Sequence, residues 1–178
     1  MRLDAISIGP APPWDVHVVI EIPLGGTPIK YELDKASGAL FVDRFLHTSM
    51  AYPANYGFVP HTLAEDGDPI DMMVVAEVPV AVGAIVRARP IGVLRMKDEA
   101  GPDEKILGVP VTELHPYHAK VAAHGDLPRI LTDQIEHFFQ HYKDLEPDKW
   151  VEIEGWGGPE DAARLIDAAI ARAKAEEG

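Results

Sequence analysis

The sequence predicts an α+β fold in which a small closed β-barrel is followed by helices packed on it. Short apolar and β-branched runs, separated by Gly, Pro or Asp, occupy the first two-thirds of the 178 residues, and helical periodicity begins only after residue 128. No repeat, low-complexity tract or linker divides the two regions. Sheets of many short strands without intervening helices tend to close into barrels or sandwiches, and a small closed barrel is the better fit. We expect residues 1–178 to form one domain.

Seven short runs predict the strands. The first two carry β-branched residues in partial alternation, and a Pro-Leu-Gly-Gly turn at residues 23–26 separates them. The others are apolar and are bounded by Gly, Pro or Asp. The runs comprise residues 16–22, 29–33, 40–42, 72–78, 85–88, 91–96 and 106–109.

The C-terminal third predicts two helices. Apolar residues such as Ile135, Phe138 and Phe139 recur at helical spacing over residues 129–145, and Pro128 stands where a first turn tolerates proline. A second helix starts at residues 158–161, where two acidic side chains oppose the helix dipole, and it runs to about residue 175. We expect its Ala-rich face to pack on the barrel.

Composition excludes several functional classes. Asp and Glu outnumber Lys and Arg by 29 to 16, which gives a net charge of −13. This argues against general binding of nucleic acid or anionic lipid, because both need clustered basic residues. The absence of Cys excludes disulfides, thiolate zinc sites, iron–sulfur clusters and a Cys nucleophile. No targeting segment stands out, and the longest apolar stretch, residues 78–86, is too short to span a membrane. We therefore expect a cytoplasmic protein.

The densest unusual feature is the acidic turn at residues 66–71, Asp-Gly-Asp-Pro-Ile-Asp. The carboxylates of Asp66, Asp68 and Asp71 would repel one another unless cations bind them, and hard oxygen ligands favour Mg²⁺, Mn²⁺ or Ca²⁺. A solvated acidic turn is the alternative that stays open. An EF-hand is excluded, since Asp71 stands where that loop requires Gly.

A second acidic group follows at residues 98–104. Alone, it would be an exposed hairpin loop. Beside the first turn, its carboxylates could complete a site for several metal ions that clamps a phosphoryl group; they are Asp98, Glu99, Asp103 and Glu104. Cationic and phenolic side chains near strand and helix ends would supply phosphate donors, although each alone could be a solvated charge or a tyrosine at the edge of the core. These side chains are Lys30, Arg44, Tyr56, Lys105, Tyr142 and Lys143.

Over residues 14–157 the sequence resembles the family I soluble inorganic pyrophosphatases of bacterial type. The acidic turn looks like the signature of that family, and further phrases match with nearly collinear spacing. They are Ile-Glu-Ile-Pro at 20–23, Lys-Tyr-Glu at 30–32, Asp-Arg at 43–44, Tyr-Pro-Ala-Asn-Tyr-Gly-Phe at 52–58, Met-Lys-Asp at 96–98, Asp-Glu-Lys at 103–105, His-Tyr-Lys-Asp-Leu at 141–145, and the segment from Lys-Trp at 149–150 to Gly-Trp at 155–156.

The resemblance implies metal-dependent hydrolysis of inorganic pyrophosphate to two orthophosphates, by direct attack of a metal-activated water or hydroxide. It implies an OB-like five-stranded barrel, several Mg²⁺ ions per site (with Mn²⁺ or other divalent ions possible), and a homohexamer built from two trimers. Asp68 would accept the proton of the attacking water.

The other roles are likewise carried over from the resemblance. Asp66, Asp71 and Asp103 would hold the first metal, with Asp71 shared by the second, and Asp98 and Asp103 would bind metals that arrive with the substrate. Glu21 and Glu32 would serve as outer ligands or partners of metal-bound water. The phosphoryl ends would be gripped by Lys30, Arg44, Tyr56, Lys105, Tyr142 and Lys143.

Two rival functions remain. One is an OB-like nucleic-acid-binding module, which the acidic balance and the 7% aromatic content disfavour. The other is an inactive homologue that binds divalent metal or acts as a scaffold.

The eight histidines offer a separate question. His137 and His141 share a face of the first predicted helix, and a polar helix face is favoured there over a metal clip. Because the bacterial enzymes that the sequence resembles are homohexamers, we expect this face to make subunit contacts. Protonation of interfacial histidines would then loosen assembly near pH 6. The other six are scattered along the chain: His17, His47, His61, His115, His118 and His124.

Overall fold

The computed structural model describes residues 2–176, and its centre is a ring of five strands. Strand β1 (Val16–Ile22) pairs with β4 (Asn55–Phe58) on one side and with β6 (Ile85–Asp98) on the other. Strands β5 (Asp71–Val74) and β8 (Lys105–Pro110) complete the ring and run parallel to each other, whereas its other pairs are antiparallel. This closure confirms the predicted small five-stranded barrel.

Four further strands lie outside the ring. Strands β7 (Gly101–Pro102) and β9 (Val151–Gly157) extend the sheet from β6. Strands β2 (Ile29–Leu33) and β3 (Leu40–Phe45) form a separate antiparallel hairpin. The barrel, the hairpin, the turns before β5 and β8 and the segment just after helix α1 together carry the residues of the predicted site.

The structure corrects several predicted boundaries. Residues 85–88 and 91–96 belong to one strand, because β6 continues through Pro90 at a register shift where a residue without an N–H is tolerated. Strand β4 was missed because its Gly57 looks like a strand breaker. A Cβ at Gly57 would lie 1.9 Å from the carbonyl oxygen of Val19, so the close approach of β1 requires glycine there.

Strand β9 was also missed, and residues 75–78, predicted as strand, lie beyond the end of β5. Among the described residues, 3₁₀ turns occur at Leu3–Ala5, Pro116–His118 and His124–Asp126. The last two follow β8 along the chain.

Two helices cover the barrel. Helix α1 (Arg129–His141) ends four residues earlier than predicted, and helix α2 (Pro159–Glu176) starts where expected. Ile135 and Phe138 of α1 join the larger apolar core, while Ile166 of α2 joins the second core on the opposite wall of the barrel. In residues 2–176, neither helix is long and apolar enough to cross a bilayer.

Candidate active site

Every residue predicted for the site lines one cleft of about 290 Å³. The cleft lies between the barrel, the β2–β3 hairpin and the C-terminal end of α1. The structure thus brings together residues from seven separate segments of the chain. They are Glu21, Lys30, Glu32, Arg44, Tyr56, Asp66, Asp68, Asp71, Asp98, Asp103, Lys105, Tyr142 and Lys143.

The acidic turn is held by its own backbone. Gly67 has a φ of +91°, a conformation that favours glycine, and the Asp66 side chain accepts a hydrogen bond from the Asp68 amide at 3.0 Å. The buried Thr62 hydroxyl accepts the Ile70 amide at 3.0 Å and so anchors the turn to the barrel. The turn therefore presents its carboxylates to the cleft from a fixed base.

The parallel pair β5–β8 places Asp71 beside Lys105, because each residue begins its strand. The Lys105 ammonium lies 2.5 Å from an Asp71 oxygen and 2.6 Å from an Asp103 oxygen. Burial alone would lower the pKa of Lys105, but Asp71 and Asp103 outweigh burial and the pKa lies well above its usual value. Lys105 is therefore a permanent cation at the floor of the cleft.

A second buried cation, Lys143, lines the same cleft. Lys143 follows the end of α1, and its ammonium lies 2.6 Å from Asp98 at the end of β6. Burial opposes its charge, but the neighbouring Tyr142 and Asp98 raise the pKa of Lys143. The tight β6–β7 hairpin, which pairs Asp98 with Gly101, also brings Asp103 to the same wall.

The β2–β3 hairpin supplies the third group of donors. Lys30 pairs with Arg44 across the two strands, and directly opposite residues share one face of a hairpin. Lys30 lies 2.5 Å from Glu32 and 3.2 Å from Asp43. The Arg44 guanidinium lies 5.7 Å from the centre of the Tyr142 ring, and among the described residues its buried Nε has no hydrogen-bond partner. The hairpin therefore brings a guanidinium with one unsatisfied donor to the lining of the cleft.

Two buried side chains line the barrel side of the cleft. Glu21 is 7% exposed and accepts a hydrogen bond from the Leu33 amide at 2.8 Å, and burial raises the pKa of this carboxyl to about 7. Burial also raises the pKa of Tyr56 well above its usual value, so its phenol keeps its proton. Tyr56 is therefore a hydrogen-bond donor at neutral pH.

The donor set fits hard divalent cations. Eight carboxylates line the cleft against five cationic side chains, so its own charge would repel a phosphate anion. Burial and the nearby carboxylates of Asp68, Asp71 and Asp103 raise the pKa of Asp66, which shows that the acidic group is short of positive charge. Clustered carboxylate oxygens of this kind match the preferences of Mg²⁺ and Mn²⁺.

Three polar side chains of the cleft were not among the predicted site residues. Lys35 lies 2.7 Å from Asp68, Glu99 contacts both Lys143 and Lys149, and Tyr52 lies against the Tyr56 ring. Lys35 carries no sequence signal, because a single lysine in a turn is usually solvated. Glu99 had a signal, its place in the second acidic group, and Lys149 is one cause of the fall of its pKa to about 2 despite its burial.

The histidine pair of α1 lies outside the cleft. The rings of His137 and His141 are 4.6 Å apart, and His141 lies 2.7 Å from Asp144. Their predicted role in subunit contact stays a prediction.

Comparison with known proteins gives one consistent result. The family model described as inorganic pyrophosphatase matches residues 18–174. The inorganic pyrophosphatase of Caulobacter vibrioides is 62% identical over 172 residues, 97% of either chain, and that of Pseudomonas aeruginosa is 53% identical over 96% of this chain and 98% of its own.

Solved structures agree with the sequence relatives. An inorganic pyrophosphatase from Coxiella burnetii superposes with a TM-score of 0.90 at 48% identity, covering 94% of this chain and 99% of its own. The Thermus thermophilus enzyme gives 0.90 at 41% identity, over 98% and 99%. The match spans the barrel, the cleft and both helices, and the chain belongs to the inorganic pyrophosphatase family.

Proposed function

We propose that this chain hydrolyses inorganic pyrophosphate to two orthophosphates in the cleft, with several Mg²⁺ ions, or Mn²⁺ or other divalent ions in their place, and with residues 1–178 acting as one domain. The observation that supports this most is the convergence of clustered carboxylates with buried cationic and phenolic donors in one small cleft. Carboxylates suit divalent metal, and the donors suit phosphoryl oxygens.

Four carboxylates near the acidic turn and the β6–β7 hairpin form the proposed metal set. Asp66, Asp71 and Asp103 would hold a first ion, Asp71 would be shared with a second, and Asp98 and Asp103 would bind ions that enter with the substrate. Glu21 and Glu32 would orient water around them. Bound divalent cations would supply charge neutralisation and a lowered pKa for the attacking water.

Asp68 is proposed as the proton acceptor. Its side chain is 71% exposed, the highest fraction among the ion-paired cleft carboxylates, and it stands at the tip of the acidic turn. A carboxylate in that position can take a proton from an attacking water and release it to solvent. Its backbone amide is held by Asp66, so the turn fixes where the carboxylate stands.

The cationic and phenolic side chains would orient the two phosphoryl groups and stabilise the departing one. Lys105 and Lys143 are charged throughout the neutral range. Asp71 is the main cause that raises the pKa of Lys105, and Tyr142 and Asp98 raise that of Lys143. The remaining phosphoryl oxygens would be bound by Lys30, Arg44, Tyr56 and Tyr142. Positioned donors of this kind act where charge develops on the leaving phosphate.

The test is phosphate release from pyrophosphate with Mg²⁺, compared with an EDTA blank and with Asp68→Asn. We expect fast metal-dependent release that falls by about 100-fold or more in the variant, the usual contribution of a general base. Asp133→Asn is the control, because Asp133 is exposed on α1 and pairs only with Arg129 at 3.6 Å among the described residues. No release with any divalent ion would instead support the inactive metal-binding homologue.

The same assay bounds specificity. ATP and tripolyphosphate compete for the phosphoryl donors but add bulk beyond two phosphates, and the cleft volume favours the smaller substrate. A gel shift with single-stranded nucleic acid tests the remaining rival, and the acidic lining predicts no shift.

A cytoplasmic location and assembly as a homohexamer built from two trimers are also proposed, from the family resemblance. Strand β3 exposes Leu40, Phe41, Val42 and Phe45, apolar side chains that self-association would shield. Sedimentation velocity gives the mass directly, and a monomer at micromolar concentration would contradict the proposed assembly.

A further inference from the structure

A second polar cluster lies at the far end of the parallel β5–β8 pair. Glu77 comes three residues after β5 ends, and His115 and His118 follow the end of β8. Because β5 and β8 run in the same direction, both loops leave from one end of the barrel, while Asp71 and Lys105 start these strands at the other end. Six extended residues separate Asp71 from Glu77 by at most about 20 Å.

The backbone around Glu77 is fixed independently of the histidines. The fully buried side chain of Asn55 accepts the Val80 amide at 2.8 Å and donates to the Val78 carbonyl at 3.1 Å. On the other loop, the Arg89 guanidinium donates to the His118 carbonyl at 2.8 Å. The contacts of Asn55 and Arg89 therefore position both loops independently of any contact among Glu77, His115 and His118.

The three side chains aim their donor atoms at one point. One atom from each of Glu77, His115 and His118 lies within 4.8 Å of the others. A Glu77 oxygen lies 2.6 Å from Nε2 of His115, and its other oxygen lies 3.4 Å from Nδ1 of His118. The Tyr117 ring stacks on His115 at 5.8 Å between centroids and limits the orientation of that imidazole.

His118 carries the unexplained feature. Its side chain is 9% exposed, and within residues 2–176 its Nδ1 has no hydrogen-bond partner, although a Glu77 oxygen lies 3.4 Å away. A buried ring nitrogen without a partner is costly. The unpartnered nitrogen is a ligand atom of the type that divalent metals bind. An electrophile between His118 and Glu77 would satisfy it.

The donor chemistry selects the class of ion. Two imidazole nitrogens and one carboxylate suit Zn²⁺ and its borderline neighbours, whereas Mg²⁺ prefers oxygen alone. Ligand atoms of a tetrahedral zinc site lie about 3.3 Å apart, so the widest separation here would close by about 1.5 Å. The partly exposed His115 and Glu77 side chains can make that adjustment. Three protein ligands leave a fourth position for water.

We propose that Glu77, His115 and His118 form a second metal site, which binds one Zn²⁺-class ion and clips the loop after β5 to the loop after β8. The site is separate from the carboxylate cleft in position and in donor chemistry. The ion stabilises this end of the barrel, because it binds the folded arrangement and the unfolded chain offers no such set of ligands.

The experiment uses the full chain, stripped with EDTA and returned to excess Mg²⁺ so that the oxygen ligands of the cleft are occupied. Zn²⁺ is then titrated by calorimetry, and the desalted protein is measured for bound zinc. We expect one equivalent per chain and a higher melting temperature with Zn²⁺. The extended fine structure of the zinc X-ray absorption spectrum should show two imidazole ligands.

His115→Ala is the principal variant because its side chain is partly exposed and its loss should not unfold the protein. We expect its Zn²⁺ affinity to fall by at least roughly tenfold, since even outer partners of metal ligands have effects of that size. Glu77→Gln should act in the same direction. Phosphate release with Mg²⁺ should be unchanged in both variants, which separates this site from the proposed active site.

His141→Ala is the matched control, because the His137–His141 pair is the other close histidine pair among the described residues. It should retain the bound zinc. The proposal is overturned if wild-type protein holds no zinc beside Mg²⁺, or if zinc is lost in His141→Ala and kept in His115→Ala.

Discussion

The two ends of the parallel β5–β8 pair carry opposite kinds of polar cluster. At the start of the strands, Asp71 and Lys105 face a cleft lined by carboxylates and ammonium groups. Past their ends, Glu77 meets two imidazoles beside an apolar core. One end offers hard oxygen and permanent cations, and the other offers nitrogen donors with an unsatisfied lone pair. The same two strands can thus position two sites that select different ions.

The two ends also differ in how much they depend on bound ions. The cleft concentrates negative charge that its own cationic side chains do not neutralise, so it requires bound cations. The histidine end holds a single carboxylate, Glu77, which lies 2.6 Å from His115, and its loops are held by Asn55 and Arg89. Perturbing one end should therefore leave the other intact, and this independence can be measured.

The largest expected effect comes from Asp71→Asn. The variant keeps the shape of the side chain but removes the charge that faces Lys105 at 2.5 Å and that is proposed to be shared by two metals. We expect Mg²⁺-dependent phosphate release to fall by about 1000-fold, within the range for removal of a preorganised electrostatic group. Steady-state assays of phosphate release give kcat and KM, and circular dichroism checks the fold.

Zinc retention is the second readout for the same variant. If the ends are independent, Asp71→Asn holds as much Zn²⁺ beside Mg²⁺ as the wild type does. A parallel loss of zinc would show that the two clusters are coupled through β5, and the contrast between them would fail.

Sequence reasoning located one end and missed the other, for a physical reason. The acidic turn packs its carboxylates into six consecutive residues, so their mutual repulsion is visible without a fold. Glu77, His115 and His118 come together only through the parallel pairing of β5 with β8, and the sequence left His115 and His118 as scattered histidines. Parallel register is set by tertiary contacts, which a single sequence does not display.

Individual strands show the same limit. Residues 16–22 and 29–33 were predicted to the residue, because alternation and flanking turn residues are local signals. Strand β4 was missed, because Gly57 is explained only by the close approach of β1. Lys35 was missed as a cleft residue, because its contact with Asp68 joins positions 33 residues apart.

The next prediction concerns Glu21, whose burial in the cleft lowers the stability of the fold when its carboxyl is charged. Burial raises the pKa of this carboxyl from 4.5 in the unfolded chain to about 7 in the folded one. Between these values the folded chain holds a proton that the unfolded chain has released, so the free energy of unfolding falls as pH rises from about 4.5 to 7 and levels off above. The full contribution is about 3 kcal/mol.

Glu21→Gln removes that titration while its carbonyl oxygen can still accept the Leu33 amide. In EDTA, urea unfolding at pH 5 and pH 8 should show the variant gaining up to about 3 kcal/mol on the wild type at the higher pH. Glu113→Gln, at an exposed position, should follow the wild type. Identical pH profiles for Glu21→Gln and the wild type would show that the cleft has no such cost.

The smallest effect concerns the rim of the cleft, where Lys35 lies 2.7 Å from Asp68. The two side chains are 51% and 71% exposed, and exposed ion pairs contribute no more than about 1 kcal/mol. Lys35→Gln should therefore change kcat/KM for pyrophosphate by less than about fivefold, and the change should shrink in high salt. Lys120→Gln is the control at another exposed position. A loss above 100-fold would mean that Lys35 contacts the substrate itself. The substrate-binding part of the cleft would then extend into the turn between β2 and β3.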